Sequence, residues 1–195
     1  MFAEILEQFH WYAIQTRSRH EKVVRDQLAA KSITHLLPLW QKRSRWKDRV
    51  KLVEVPLFGG YLFGYFPLLN RVAVLETVGV VRIVGLNGRP VPIPDEQITI
   101  IQTMMEHGLP CSPHPHLVEG MRVRIKSGLL AGAEGLLIAK KQRHRLVINV
   151  DIIQQAVAVE VDSADVEPLE PHSQEASKLS LDSFQPAPLH AASSI

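Results

Sequence analysis

The chain has 195 residues, of which 46% are hydrophobic and 22% charged, with a formal net charge of +2. That balance excludes a chain too polar to bury a core and a uniformly basic nucleic-acid binder, so any basic surface has to be local. The single cysteine, Cys111, excludes an internal disulfide and fits a reducing compartment.

Residues 1–10 read as a leader. They carry Glu4 and Glu7 and lack the basic flank and apolar centre of a secretory signal. Trp11-Tyr12-Ala13-Ile14-Gln15 has strand composition, and Ser18 followed three residues later by Glu21 has the spacing of a capping box, which predicts the start of a helix. Val23, Val24 and Leu28 supply its apolar face. From residue 33 to 66 the pattern turns to β, in about three strands expected to form a meander, divided by the polar run 41–49 and by Gly59-Gly60. A short helix is predicted within 70–77 and a strand over 80–84. Pro94-Asp95-Glu96 then opens a helix through His107, with Ile98, Ile101, Met104 and Met105 at helical spacing. Residues 11–107 thus read as an α+β domain, an antiparallel sheet with flanking helices.

Three prolines and a glycine between His107 and His116 forbid a continued helix or a central strand, so 108–116 reads as a linker. From 117 to 169 the pattern is all β, with Val123 and Ile125 alternating with Arg122, Arg124 and Lys126. The valine-rich stretches 147–150 and 157–161 follow, and Gly128, Gly132 and Gly135 punctuate the segment. About fifty residues of short strands suggest a small barrel. Residues 170–195, rich in Ser, Pro, Ala and His, read as a disordered tail. No uninterrupted apolar run approaches the ~20 residues of a membrane helix, so a soluble, cytoplasmic protein with no membrane partner is expected.

The densest charge cluster is Lys42, Arg43, Arg45, Lys47, Arg49 and Lys51, interleaved with Trp40 and Trp46. On a hairpin these cations can follow a phosphate backbone while a tryptophan stacks on an unpaired base, or they can form a solvated tip. Arg17, Arg19, His20, Lys22, Arg25 and Lys31 make a second basic region with the same two readings. The aromatic set Trp11, Tyr12, Phe58, Tyr61, Phe63, Tyr65 and Phe66 must divide between two sheet faces; most are expected in the core, and an uncovered face is a protein-binding patch. His107, Cys111, His114 and His116 have ligand chemistry but fit no standard metal spacing. No catalytic carboxylate pair, nucleophile motif or phosphate-binding loop appears, so no enzyme, metal or cofactor is expected.

Trp11-Tyr12-Ala13-Ile14, a basic turn and helix, and then Pro56-Leu57-Phe58-Gly59-Gly60-Tyr61-Leu62-Phe63 resemble the amino-terminal (NGN) domain of the NusG family. The segments 78–85 and 90–94 continue the likeness. Glu119-Gly120-Met121-Arg122-Val123-Arg124-Ile125 with the three glycines is similar to the KOW motif of that family's carboxy-terminal SH3-like barrel. The resemblance implies a transcription elongation or antitermination factor that binds the clamp helices of RNA polymerase and suppresses pausing. By motif, the polymerase-binding residues are Trp11, Ile14, Phe58, Tyr61 and Phe63.

Within the family the chain looks more like the specialised RfaH/UpxY-type paralogues of polysaccharide operons. That implies contact with the non-template DNA strand through Arg17, Arg19, His20, Gln27 and Lys31, and the hairpin residues Arg43, Arg45 and Lys47 join them as nucleic-acid candidates. The polar segment that RfaH uses for another polymerase contact is apolar here, around Val72 to Leu75. In the barrel, Leu129 and Leu130 occupy the partner-binding loop where NusG has a phenylalanine; losing the ring argues against Rho recruitment and leaves a ribosomal protein as the partner implied. The alternative is an RNA-binding or ribosome-associated KOW protein using the hairpin with Lys140, Lys141, Arg143 and Arg145. The valine-rich strands and glycines favour β structure for the second domain. An isolated 117–169 fragment is therefore predicted to give a β-type circular dichroism spectrum, and a predominantly helical one contradicts the barrel.

Overall fold

The computed structural model describes residues 6–45, 50–117, 120–140 and 143–169. Trp46, Lys47, Arg49, Lys141 and the expected disordered tail 170–195 lie outside the described residues. In chain order, β1 (Phe9–Thr16), α1 (Glu21–Ala30), β2 (Thr34–Leu36), β3 (Leu39–Arg45), β4 (Val50–Pro56) and β5 (Tyr61–Pro67) are followed by α2 (Arg71–Leu75), β6 (Val80–Ile83), β7 (Gly85–Leu86), β8 (Arg89–Pro90) and α3 (Asp95–Glu106).

The main sheet has the order β2-β5-β1-β6, with every pairing antiparallel. β1 lies inside it because both its faces are apolar. Trp11 and Ala13, opposite Tyr65 and Phe63, join the core beside Ile98, Ile101 and Met104 of α3. Tyr12 and Ile14, opposite Gly64 and Leu62, join the core formed with Val24 and Leu28 of α1. Burying a Phe, Leu or Ile side chain contributes about 1.5–3 kcal/mol, so this alternation fixes the register: a one-residue slip would exchange the two cores.

The expected meander is not what forms. β3 and β4 pair only with each other as a separate hairpin, and β5 pairs with β1 and β2. The reason is the amphipathicity of the strands: β5 is buried along most of its length, whereas β4 is exposed from Val50 to Glu54 and cannot replace it in a two-faced sheet.

The predicted capping box is also absent. Arg19 adopts a left-handed conformation (φ 63°), so α1 starts at Glu21 without a side-chain cap. The buried Glu21 carboxylate instead accepts the Gly60 N–H at 2.8 Å, fastening the Gly59-Gly60 turn to the helix start, where a negative charge is favoured.

The second unit contains β9 (Cys111–Pro115), β10 (Met121–Ile125), β11 (Glu134–Lys140), β12 (Arg143–Val150), β13 (Gln155–Val161) and β14 (Val166–Pro168), in one sheet of order β14-β10-β11-β12-β13-β9. The stretch read as linker therefore carries a strand: Cys111, Pro113 and Pro115 pair with Val159, Val157 and Gln155. Prolines at alternate positions suit an edge strand, whose alternate N–H groups have no partner to lose. The two units share one apolar cluster, running from Trp11, Phe58 and Ile101 to Val123, Leu130 and Ile153.

Gly64 shows how tightly β1 and β5 pack. A Cβ there would lie 2.8 Å from Ile14 Cδ1 and 3.0 Å from Phe66 Cε1. Gly64→Ala is expected to cost about 1–3 kcal/mol through overpacking, read as a lower urea midpoint at unchanged m value.

Candidate functional site

The residues expected to meet RNA polymerase, Trp11, Ile14, Phe58, Tyr61 and Phe63, do not form one surface. Ile14 is fully buried under α1, on the opposite side of the sheet from Trp11 and Phe63. Phe58 and Phe63 pack edge to face, with centroids 5.5 Å apart, and are themselves fully buried. Tyr61 is half-buried beside them.

At the other end of β5, Tyr65 lies 5.2 Å from Trp11 and 5.5 Å from Phe9, and Phe9 is 55% exposed. Phe9 was missed in the sequence because it sits in the stretch read as leader. Its spacing of two from Trp11, on the face that also carries Tyr65, is the signal that finds it. The accessible rings on the α3 side are thus Tyr61, Tyr65 and Phe9, resting on a buried layer of Trp11, Phe58 and Phe63.

The barrel abuts this layer. Gln155 Nε2 donates to the Gly59 carbonyl at 3.2 Å, and a cavity of about 380 Å³ lies between Asp95, Glu96, Thr99 and Ile100 of α3 and residues 131–133 of the barrel. In the loop expected to bind a partner, Leu130 is buried while Leu129 is 54% exposed.

The basic candidates separate by geometry. Arg17 and Arg19 are exposed on the turn between β1 and α1. The Arg17 N–H donates to Gly79 O at 2.8 Å, and the His20 ring lies 3.0 Å from Ser18 O. Gln27 and Lys31 are engaged within the fold. Gln27 Nε2 donates to Val78 O (3.0 Å) and its Oε1 accepts the Val78 N–H (3.3 Å), while Lys31 Nζ donates to Ala73 O (2.7 Å) and Thr77 Oγ1 (2.9 Å). Lys31 thus serves the Ala73 carbonyl and the Thr77 hydroxyl near the end of α2, where a cation is favoured.

On the hairpin, Arg43 is exposed opposite Leu52 and Lys42 opposite Val53. The Arg45 side chain and Lys47 are outside the described residues. Trp40 is half-buried: it packs against the shared core and lines a groove of about 390 Å³ with Met104, Met105, Leu109 and Cys111. Lys22 Nζ donates to Glu54 O at 3.2 Å and holds the hairpin beside α1, so the two basic surfaces lie on neighbouring elements.

In the barrel, Arg145 Nη2 donates to Ser112 Oγ at 3.3 Å, and Arg122 and Arg124 face Glu134. The side chains of Lys140 and Arg143, and all of Lys141, are outside the description. The linker histidines have separate partners: His107 with Thr103 O, His114 with Pro115 O and His116 with the Asp151 carboxylate. Among the described residues no three His, Cys, Asp or Glu side chains converge as metal ligands. Burial pushes the Cys111 thiol up, which favours the neutral thiol over a nucleophilic thiolate. Among the described residues no helix is long and apolar enough to cross a membrane.

Residues 9–102 match the family model described as NusG, transcription termination factor nusG. The transcription termination/antitermination protein NusG of Campylobacter jejuni is 26% identical over 171 residues, covering 80% of this chain and 96% of its own length. That of Borreliella burgdorferi is 24% identical over 181 residues, covering 80% and 97%. The solved structure "Domain interaction in Thermotoga maritima NusG" shares the fold with a TM-score of 0.53 at 20% identity, covering 84% of this chain and 98% of its own.

The two classes of nucleic-acid candidate are separable by experiment. Gln27→Ala and Lys31→Ala are each expected to destabilise the fold by about 1 kcal/mol. Arg19→Gly, which relieves a left-handed residue, is expected to leave stability unchanged or raise it slightly. Urea unfolding of the three variants checks this, and an Arg19→Gly variant less stable than Lys31→Ala contradicts it.

Proposed function

The chain belongs to the NusG family, and from that premise we propose that it is a non-enzymatic, cytoplasmic transcription elongation and antitermination factor that binds the clamp helices of RNA polymerase. Its relatives are named transcription termination/antitermination proteins. The observation that carries the polymerase contact is the ring layer of β1 and β5, which lies within the matched segment. Tyr61, Tyr65 and Phe9 keep accessible area over buried Trp11, Phe58 and Phe63, which suits an amphipathic helical partner. Aromatic anchors on a rigid sheet lose little conformational freedom on binding. Ile14, buried on the far side, acts through packing and not through contact.

In the mechanism proposed, the factor bridges the polymerase cleft and disfavours paused conformations. It binds the processive state better than the paused one and performs no chemistry. The barrel meets Gly59 within the same turn, so seating of the barrel and docking of polymerase on that turn compete. Once displaced, the barrel offers Leu129 to a second protein, for which a ribosomal protein is the candidate; the absence of a ring there disfavours Rho.

Exposed Arg17 and Arg19 and half-buried His20, with exposed Arg43 on the adjoining hairpin, support contact with the non-template DNA strand, as expected of the specialised paralogues that serve polysaccharide-type operons. Gln27 and Lys31, held by backbone carbonyls, are left out of that contact set. The RNA-binding reading keeps one supporting observation, the exposed Arg43–Leu52 pair on a hairpin face, because a cation beside an apolar side chain also suits single-stranded RNA.

The test is binding to purified bacterial RNA polymerase. Tyr61→Ala, at a half-buried position, is preferred to Phe63→Ala, whose loss from the core would cost about 3–5 kcal/mol and confound the result. Wild type is expected to bind polymerase and Tyr61→Ala about tenfold more weakly or worse, as for an interface anchor. Equal binding by both removes the aromatic face from the contact. Absence of polymerase binding together with steeply salt-dependent binding to RNA alone selects the RNA-binding function.

A further inference from the structure

The outer edge of the main sheet carries a basic region of its own, apart from the β1–α1 turn and the β3–β4 hairpin. Across the whole chain 22 lysines and arginines are nearly balanced by 20 acidic residues, but residues 68–93 hold Arg71, Arg82 and Arg89 against Glu76 alone. All three arginines are exposed, and among the described residues none is paired with a carboxylate. A groove of about 450 Å³ lies beside β6, lined by Arg71, Leu75, Arg82, Ile83 and Pro90 with two glycines, and no acidic residue belongs to its wall. Arg89 stands in the chain between two lining residues, Gly88 and Pro90. Like charges gathered without a counter-charge repel one another, and an anion from outside relieves that repulsion.

Local structure builds the wall. Asn87 (φ 50°) and Gly88 (φ 76°) are both left-handed, as the two-residue turn between β7 and β8 requires, and this turn sets Arg89 opposite Leu86. A Cβ at Gly85 would collide with the Arg89 carbonyl, so glycine is what lets the two short strands approach. Arg82 is oriented by a neighbour: its Nε donates to Gln15 Oε1 at 2.7 Å, which leaves the two terminal nitrogens as donors for a ligand.

We propose that this groove binds a nucleotide carrying two or more phosphates. Guanidinium groups grip phosphate oxygens bidentately, and arginines from α2, β6 and β8 around one depression suit a compact phosphate chain. Leu75, Ile83 and Pro90 supply an apolar surface for the base or sugar. The volume falls within the roughly 300–1,000 Å³ of small-molecule sites. None of the rings of β1 and β5 takes part, so the site stands whether or not polymerase docks on those rings.

The test is calorimetric titration of the full chain at low salt with ADP and with GDP, alongside the double variant Arg71→Gln/Arg89→Gln. Both positions are exposed, so the variant keeps both cores, and an unchanged thermal unfolding curve checks that it is folded. Wild type is expected to bind at least one of the two nucleotides, the variant about tenfold more weakly or worse, for loss of charge-assisted contacts. The nucleosides without phosphate are expected not to bind. Wild type that binds neither nucleotide, or a variant that binds as well as wild type, overturns the proposal. Inorganic pyrophosphate binding as tightly as the nucleotides removes the apolar surface from the site and overturns the nucleotide assignment. A single-stranded oligonucleotide that binds through Arg71 and Arg89 while ADP and GDP do not overturns it too, assigning the groove to nucleic acid.

Discussion

The structure depends on β1 being buried on both faces. A strand with one wet face tolerates polar residues at every second position, but β1 has to satisfy α1 with Tyr12 and Ile14 and α3 with Trp11 and Ala13. That double demand sets the register with β5 and sends Phe63 and Leu62 to opposite cores. It also decides which rings keep access to a partner. An aromatic residue in the middle of the sheet is core on whichever side it falls, while one near a strand end, such as Phe9 or Tyr65, can be packed and accessible together. The proposed binding face is therefore the rim of a core and inherits that core's rigidity.

The same economy governs the polar residues around α1. Gln27 and Lys31 sit on the exposed side of α1, yet both reach the connection between α2 and β6 and satisfy backbone groups there. Without them the Val78 carbonyl would lose its side-chain donor and the Ala73 carbonyl would keep only the Thr77 hydroxyl. Arg17 and Arg19 occupy a turn whose backbone is held by Gly79 and by a left-handed residue, so their side chains are positioned without being consumed. Two sets of polar residues on neighbouring elements thus have different duties, set by whether a backbone carbonyl lies within reach.

Local pattern made much of this legible in the sequence. The apolar spacing of Ile98, Ile101 and Met104 gave the α3 face, and the alternation in β1 divided the aromatic residues between two sides. The family likeness, carried by residues 56–63 and the region of Gly120, came from motif and not from periodicity. What stayed hidden depends on distant partners. Whether β4 or β5 pairs with β1 is decided by the burial of whole strands. The capture of Gln27 by Val78 joins residues 51 positions apart. Ser18 and Glu21 had the spacing of a helix cap, but the conformation of Arg19 between them and the demand of the Gly60 N–H redirected the glutamate. The prolines at 113 and 115 argued against a central strand and were silent about an edge one.

That edge strand shortens the leash between the two units. With β9 zipped onto β13, the connection free to swing is not the whole of 108–116 but the few residues between α3 and Cys111, which span about 13 Å when extended. Swinging the barrel out to a distant partner therefore means either moving it as a body on this short hinge or peeling β9 from β13, which lengthens the reach by about 16 Å at the cost of the β9–β13 pairing. Because the prolines of β9 take positions whose N–H groups would have no partner, the strand keeps its pairing with β13, and the fold carries a tether of two lengths set by whether that pairing is made.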